Sequence, residues 1–167
     1  MVSLSTHSHS LLRVQSWDRD GATVPDEVNS LLQVRWPFEA GTVGTGRVDV
    51  ICINPADWLI VAGGEHSMRE LLQSARNILQ GSSFRLTDVS CAIGVLRITG
   101  EGSRSMLANA CSMDVAAESE LCPGRAPRTQ VAGLPTIIRC KASSTFELFV
   151  SSSYLDYMWA WLTDSEG

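Results

Sequence analysis

At 167 residues, with 44% hydrophobic and 19% charged side chains, the chain can bury a core without disulfide or metal staples. A formal charge of −5 argues against the basic surface that non-specific nucleic-acid binding needs, and no apolar run approaches the ~20 residues that span a bilayer. The five cysteines (Cys52, Cys91, Cys111, Cys122, Cys140) include no Cys-x-x-Cys pair, which argues against zinc and for free thiols in a reducing compartment. Met1 to His9 lacks a basic stretch followed by an apolar core, so it does not read as a signal peptide, and a cytoplasmic location is expected.

Residues 1–28 are polar and rich in Ser and Asp, and read as an irregular tail and lead-in to a single domain over 29–167. Leu31 to Trp36 reads as a strand stopped by Pro37. The glycine-rich Gly41 to Gly46 reads as a loop feeding a half-buried strand over Val48 to Ile53. After the Asn54-Pro55 turn comes a strand over Trp58 to Ala62. The clearest helix follows: Ser67 and Glu70 have capping-box spacing, Met68, Leu71, Leu72, Ala75, Ile78 and Leu79 make one apolar stripe, and Gly81 suits its end. Beyond it the pattern predicts strands near 84–90 and 92–99, a helix near 103–111, and strands near 126–132, 135–141 and 145–150. A last helix has Ser153 as N-cap and Asp156 three residues on. Short turns between strands, with helices between some pairs, define an α+β fold with a mainly antiparallel sheet and packed helices. No internal repeat stands out.

Few residues suggest chemistry. Gly41 to Gly46 precedes a strand rather than a helix, so it lacks the setting of a phosphate cradle. Gly100-Glu101-Gly102-Ser103 does open a helix, but Glu101 puts negative charge at its mouth. His7 and His9 lie in the polar tail, and His66 beside Glu65 has no nucleophile elbow to serve. Catalytic, cofactor-binding and metal-binding residues are therefore expected to be absent. Asp88, in a strand-like segment, must be hydrogen-bonded to offset its desolvation, and reads as a structural acid. Arg125, Arg128, Arg139 and Lys141 make one basic region, and Arg125 and Arg128 flank Pro127 in a stiff loop that reads either as a solvated loop or as a docking loop pairing with a partner's carboxylates. On the terminal helix Trp159 and Trp161 point about 200° apart, so one of them is expected near the surface as an interface anchor.

The order of landmarks is more informative than any one of them. Pro55-Ala56-Asp57-Trp58-Leu59 is followed by Leu86-Thr87-Asp88-Val89-Ser90, the strand Ala92 to Ile98, the turn Thr99 to Ser103 and the helix Met106 to Cys111. Met113-Asp114-Val115, Cys122-Pro123-Gly124, Arg125 to Thr129, Glu147 to Val150 and the aromatic helix Tyr154 to Leu162 complete it. This order resembles the gamma subunit of heterotetrameric sarcosine oxidase, a relative of the folate-binding aminomethyltransferase domains. The resemblance implies an aminomethyltransferase-like fold and an accessory role in a four-subunit flavoenzyme. That enzyme demethylates sarcosine oxidatively to glycine and hydrogen peroxide, passing the one-carbon unit to tetrahydrofolate or releasing formaldehyde. It further implies alpha, beta and delta subunits as partners, with alpha in direct contact. FAD, FMN, NAD and tetrahydrofolate would then be carried on the other subunits. A gamma-like subunit of a related N-methyl amino acid dehydrogenase, such as N-methylglutamate dehydrogenase, and a free-standing folate-binding module are the alternatives.

Overall fold

The computed structural model describes residues 1–18, 23–63, 66–80, 82–115 and 120–164. The chain opens with β1 (Ser3–Thr6), continues as β2 (His9–Ser16), α1 (Asp26–Leu32), β3 (Val43–Thr45), β4 (Asp49–Asn54), β5 (Asp57–Gly63), α2 (His66–Leu79) and β6 (Phe84–Asp88). It then runs through β7 (Ile93–Thr99), α3 (Ser103–Ala110), β8 (Arg128–Val131), β9 (Leu134–Ala142), β10 (Thr145–Ser151) and α4 (Leu155–Asp164). Two compact units result. Ser8–Ser90 forms the first, and Met1–His7 with Cys91–Gly167 forms the second.

Each unit is built on one antiparallel sheet, ordered β3-β4-β5-β2-β6 in the first and β1-β7-β10-β9-β8 in the second. The first reads β2-α1-β4-β5-α2-β6, a ferredoxin-like βαββαβ unit with β3 added at its edge. The second repeats that plan as β7-α3-β9-β10-α4 with β8 at its edge. Its closing strand is β1, which comes first in the chain.

Period-two alternation builds both cores. In the first, Leu12 and Val14, Val50 and Cys52, and Trp58, Ile60 and Ala62 pack with Val28 and Leu32 of α1 and Leu71, Ala75 and Leu79 of α2. In the second, Leu96 and Ile98, Ile138 and Cys140, and Phe146, Leu148 and Val150 pack with Leu107 of α3 and Met158 and Leu162 of α4.

The structure confirms an α+β architecture with antiparallel sheets and corrects the sequence reading in four places. Residues 1–28 are not an irregular tail: they contain β1 and β2, and β2 sits between β5 and β6. Ser and His neighbours hide its apolar inward positions. Residues 29–167 are not one domain, because the chain divides at Ser90/Cys91 and β1 joins the later unit. Leu31 to Trp36 is not a strand. Asp26 and Glu27 at the positive end of α1, with Val28 and Leu32 on one face, favour a helix ending at left-handed Gln33 (φ 50°). Finally, Ser153 lies inside a 3₁₀ turn (Ser152–Tyr154) ahead of α4 rather than capping it. The side chain of Ser67 and residue Gly81, named as caps of α2, lie outside the described residues.

Candidate functional site

The residues marked for docking all fall in the second unit. Arg128 is exposed and opens β8, four residues before the turn into β9. Arg125 is half-buried, and its backbone is fixed on both sides: its N–H donates to Cys122 O at 2.9 Å, and its carbonyl accepts from Cys140 N–H at 3.0 Å. Val115 and Leu121, ahead of it in the chain, are tied to Arg104 of α3, which donates to Val115 O (2.6 Å) and Leu121 O (2.9 Å) and lies 5.2 Å above the Phe146 ring. On α4 the two tryptophans separate as helical geometry requires. Trp161 is half-buried against the core, while Trp159 is exposed. Tyr154 and Tyr157 are more exposed still, at 49% and 51%, and the Tyr157 hydroxyl reaches Ala132 O (3.5 Å) at the β8–β9 turn. The exposed aromatics of this C-terminal stretch are thus Tyr154, Tyr157 and Trp159. Trp161 serves the core.

Arg139 does not belong to the basic surface. It is 3% exposed and lies beside Glu147, which is wholly buried. Arg97, Glu147 and Arg139 are cross-strand neighbours on β7, β10 and β9. Arg97 donates through Nε (3.1 Å) and Nη2 (2.7 Å) to Oε1, and Arg139 through Nε (2.8 Å) and Nη2 to Oε2. Each guanidinium thus donates two hydrogen bonds to one oxygen. The sequence held a signal for this cluster, since a lone carboxylate within Phe146-Glu147-Leu148-Phe149-Val150 needs buried partners. The first unit has a smaller analogue: Arg13 donates to Asp57 at 2.9 and 2.5 Å. Those hydrogen bonds, aided by charge and opposed by burial, raise the Arg13 pKa above its ordinary value.

Asp88 ends β6 and is exposed. Its Oδ1 accepts from the Ser90 backbone N–H (3.0 Å) and hydroxyl (2.7 Å). Ser90 Oγ in turn accepts from Leu11 N–H (2.9 Å), so the acid braces the turn against β2. The hydrogen bonds from Ser90, with smaller help from Arg76 and Arg69, hold the carboxyl below its usual range. The two glycine motifs serve close backbone packing. A Cβ at Gly100 (φ 117°) would lie 2.2 Å from Met1 O, and one at Gly46 would lie 2.1 Å from Gln33 O.

All five cysteines are free. Burial first, then the negative charges of Asp57 and Glu39, push the Cys52 thiol up to about 11, and burial likewise raises Cys140. Such thiols stay protonated near neutrality and are poor nucleophiles. Among the described residues no group of three or more His, Cys, Asp and Glu side chains could hold a metal ion, and no helix is long and apolar enough to cross a membrane.

Comparison with solved structures gives the class first. The chain has the fold of glycine cleavage system aminomethyltransferase T from Bartonella henselae, at TM-score 0.67 and 12% identity, spanning 96% of this chain and 45% of that one. It is more similar to a chain of heterotetrameric sarcosine oxidase from Corynebacterium sp. U-96 solved with pyrrole 2-carboxylate. There the TM-score is 0.86 at 20% identity, over 98% of this chain and 83% of that one. A looser likeness, at TM-score 0.50 and 10% identity, reaches the aspartate kinase regulatory subunit of Thermus thermophilus, over 99% and 97% of the two chains. These likenesses define an aminomethyltransferase-like α+β chain. Residues 18–167 match the sarcosine oxidase gamma subunit family, and the chain belongs to that family. No curated protein matches it by sequence.

Proposed function

We propose that this chain is a non-catalytic structural subunit of a cytoplasmic heterotetrameric flavoenzyme that oxidatively demethylates sarcosine to glycine. The electrons pass to oxygen as hydrogen peroxide, and the one-carbon unit goes to tetrahydrofolate or leaves as formaldehyde. FAD, FMN, NAD and tetrahydrofolate are carried by the other subunits, and the alpha subunit is the direct contact. The observation that carries this reading is family membership over residues 18–167. Two features of the chain support it. Its buried charges are spent on one another, as in Arg97–Glu147–Arg139, leaving them as structure rather than machinery. Three exposed aromatics, Tyr154, Tyr157 and Trp159, lie close together on α4 and the turn before it.

Large aromatics at a surface act as interface anchors when they enter a partner's pocket, and truncating such an anchor costs about 2 kcal/mol or more of binding. Trp159 is the tryptophan placed to do this, with Tyr157 two residues away on α4. Trp159→Ala is expected to weaken capture of the alpha subunit by that amount while leaving thermal melting of the lone chain unchanged. Trp161→Ala is expected to do the reverse, lowering stability by roughly 1–3 kcal/mol through lost core packing. Pull-down and melting of both variants separate the two roles. Equal melting losses with assembly intact would remove α4 from the interface.

A further inference from the structure

The first sheet ends on β6, which at five residues is the longest of the four edge strands among the described residues. The bonds at its two ends fix which way its backbone points. Val89 N–H donates to Leu11 O at 2.9 Å and Trp17 N–H to Ser83 O at 3.0 Å. In the antiparallel register with β2, the residues of β6 that bond β2 are therefore Arg85 and Thr87. Phe84, Leu86 and Asp88 turn their N–H and C=O groups outward, and among the described residues no strand pairs with that edge. The outer edge of β8 is partly taken by comparison: Cys111 bridges Val131, and Ser112 N–H donates to Gln130 O at 3.2 Å. An open row of backbone donors and acceptors is a template for a further strand.

Positive side chains border this edge on both faces of the sheet. On one face Phe84 and Leu86 pack against the core, and α2 lies alongside β6. Arg69 and Arg76, seven positions apart and so nearly in line along α2, are both exposed. After the hydrogen bonds from Ser90, the charges of Arg76 and Arg69 help to hold the Asp88 carboxyl below its usual range, which places both guanidinium groups near the end of β6. Glu70 points about 100° away from Arg69 round the helix. Arg85, also exposed, is turned by strand alternation to the face opposite Phe84 and Leu86. None of the three arginines forms a salt bridge among the described residues.

We propose that the β6 edge docks an extended acidic segment of a partner polypeptide as an added strand of the first sheet. The backbone of the segment satisfies the outward N–H and C=O groups of Phe84, Leu86 and Asp88, the source of affinity in strand addition. Side chains of an added strand alternate between the two faces. Carboxylates directed to one face meet Arg69 and Arg76, and those directed to the other meet Arg85, each guanidinium offering a planar fork to its acid. Charge also selects the occupant. A second copy joining edge to edge would bring its own Arg69, Arg76 and Arg85 to the same seam, and like charges side by side oppose that pairing. An acidic strand relieves the same repulsion. The edge belongs to the first unit, whereas the exposed aromatics of α4 belong to the second, and the lone chain carries it whichever assembly it joins.

The test titrates the full chain, followed by proton–nitrogen correlation NMR, with a short blocked peptide of valine and threonine that carries glutamate on both faces of its strand. The amide signals of Phe84, Leu86 and Asp88 should move saturably, with half-saturation below about 1 mM. The same peptide with glutamine in place of glutamate should bind at least about fivefold more weakly. The acidic peptide N-methylated at its central residues keeps the charge but cannot pair as a strand, and should bind at least about tenfold more weakly. Arg69→Ala combined with Arg76→Ala, both at exposed positions, should weaken the acidic peptide at least about fivefold and leave thermal melting unchanged. The proposal is overturned if the three amides stay still at millimolar peptide, if the neutral or the N-methylated peptide binds as tightly as the acidic one, or if the double variant changes nothing. It also falls if inorganic tripolyphosphate moves the same amides as far, since the arginines would then be a general anion patch.

Discussion

Glu147→Ala is expected to destabilise the chain by about 3–5 kcal/mol, the cost of leaving a buried charge without its partner. Glu147 has no exposed surface, and Arg139 beside it is 3% exposed, so water cannot replace the lost carboxylate. Arg97, at 31% side-chain exposure, recovers part of its hydration and contributes less. Such a loss is a large share of the ~5–15 kcal/mol that typically separates folded from unfolded states. The cost belongs to the buried guanidinium that loses this carboxylate rather than to the pairing itself. A combined replacement of Arg97, Glu147 and Arg139 by apolar residues of similar volume should therefore recover most of the stability that Glu147→Ala loses. Urea unfolding of the two variants checks both halves of the statement. A change below about 0.5 kcal/mol for Glu147→Ala would place it among ordinary surface substitutions and contradict the burial.

Removal of residues 1–6 is expected to loosen the second unit and spare the first. β1 pairs with β7 from Ser3↔Thr99 to Thr6↔Leu96, and Val2 and Leu4 pack against the second core. Losing two such apolar side chains costs on the order of 3 kcal/mol, before any account of the exposed β7 edge. The left-handed Gly100 exists to let the chain pass close by Met1, so its role vanishes with the strand. Amide hydrogen exchange reads the effect locally. β7 and β10 should exchange faster in the truncated chain, while β2 and β5 keep the protection of the full-length protein. Uniform loss in both sheets, or none, would show that β1 is not an integral strand of the second unit.

Much of the second half was legible from sequence because its elements follow short-range rules. Periodicity located β7, α3, β9, β10 and α4 to within a few residues. Two features escaped for physical reasons. A βαββαβ plan fixes only which positions face inward, so Leu12 and Val14 in one unit correspond to Leu96 and Ile98 in the other without any shared motif. The closing strand of the second unit also precedes the first unit in the chain, which hides the repeat from a linear comparison. Side-chain roles were harder to read than the fold. Arg139 sits two residues from Lys141 and looked like its surface neighbour, yet strand alternation and the register with Glu147 turn it into a buried partner. The end of α1 is a helix end that local β-propensity disguised as a strand.

The central claim is that this family member works as a colourless subunit within a flavoenzyme, and isolating it from its native source through a tag on the chain tests that directly. The eluted assembly is expected to be yellow and to contain larger subunits identifiable by mass spectrometry. After separation of the subunits, flavin absorbance should stay with the larger ones and be absent from this chain. Recovery of the chain alone, or stoichiometric flavin on the separated chain, would contradict the account.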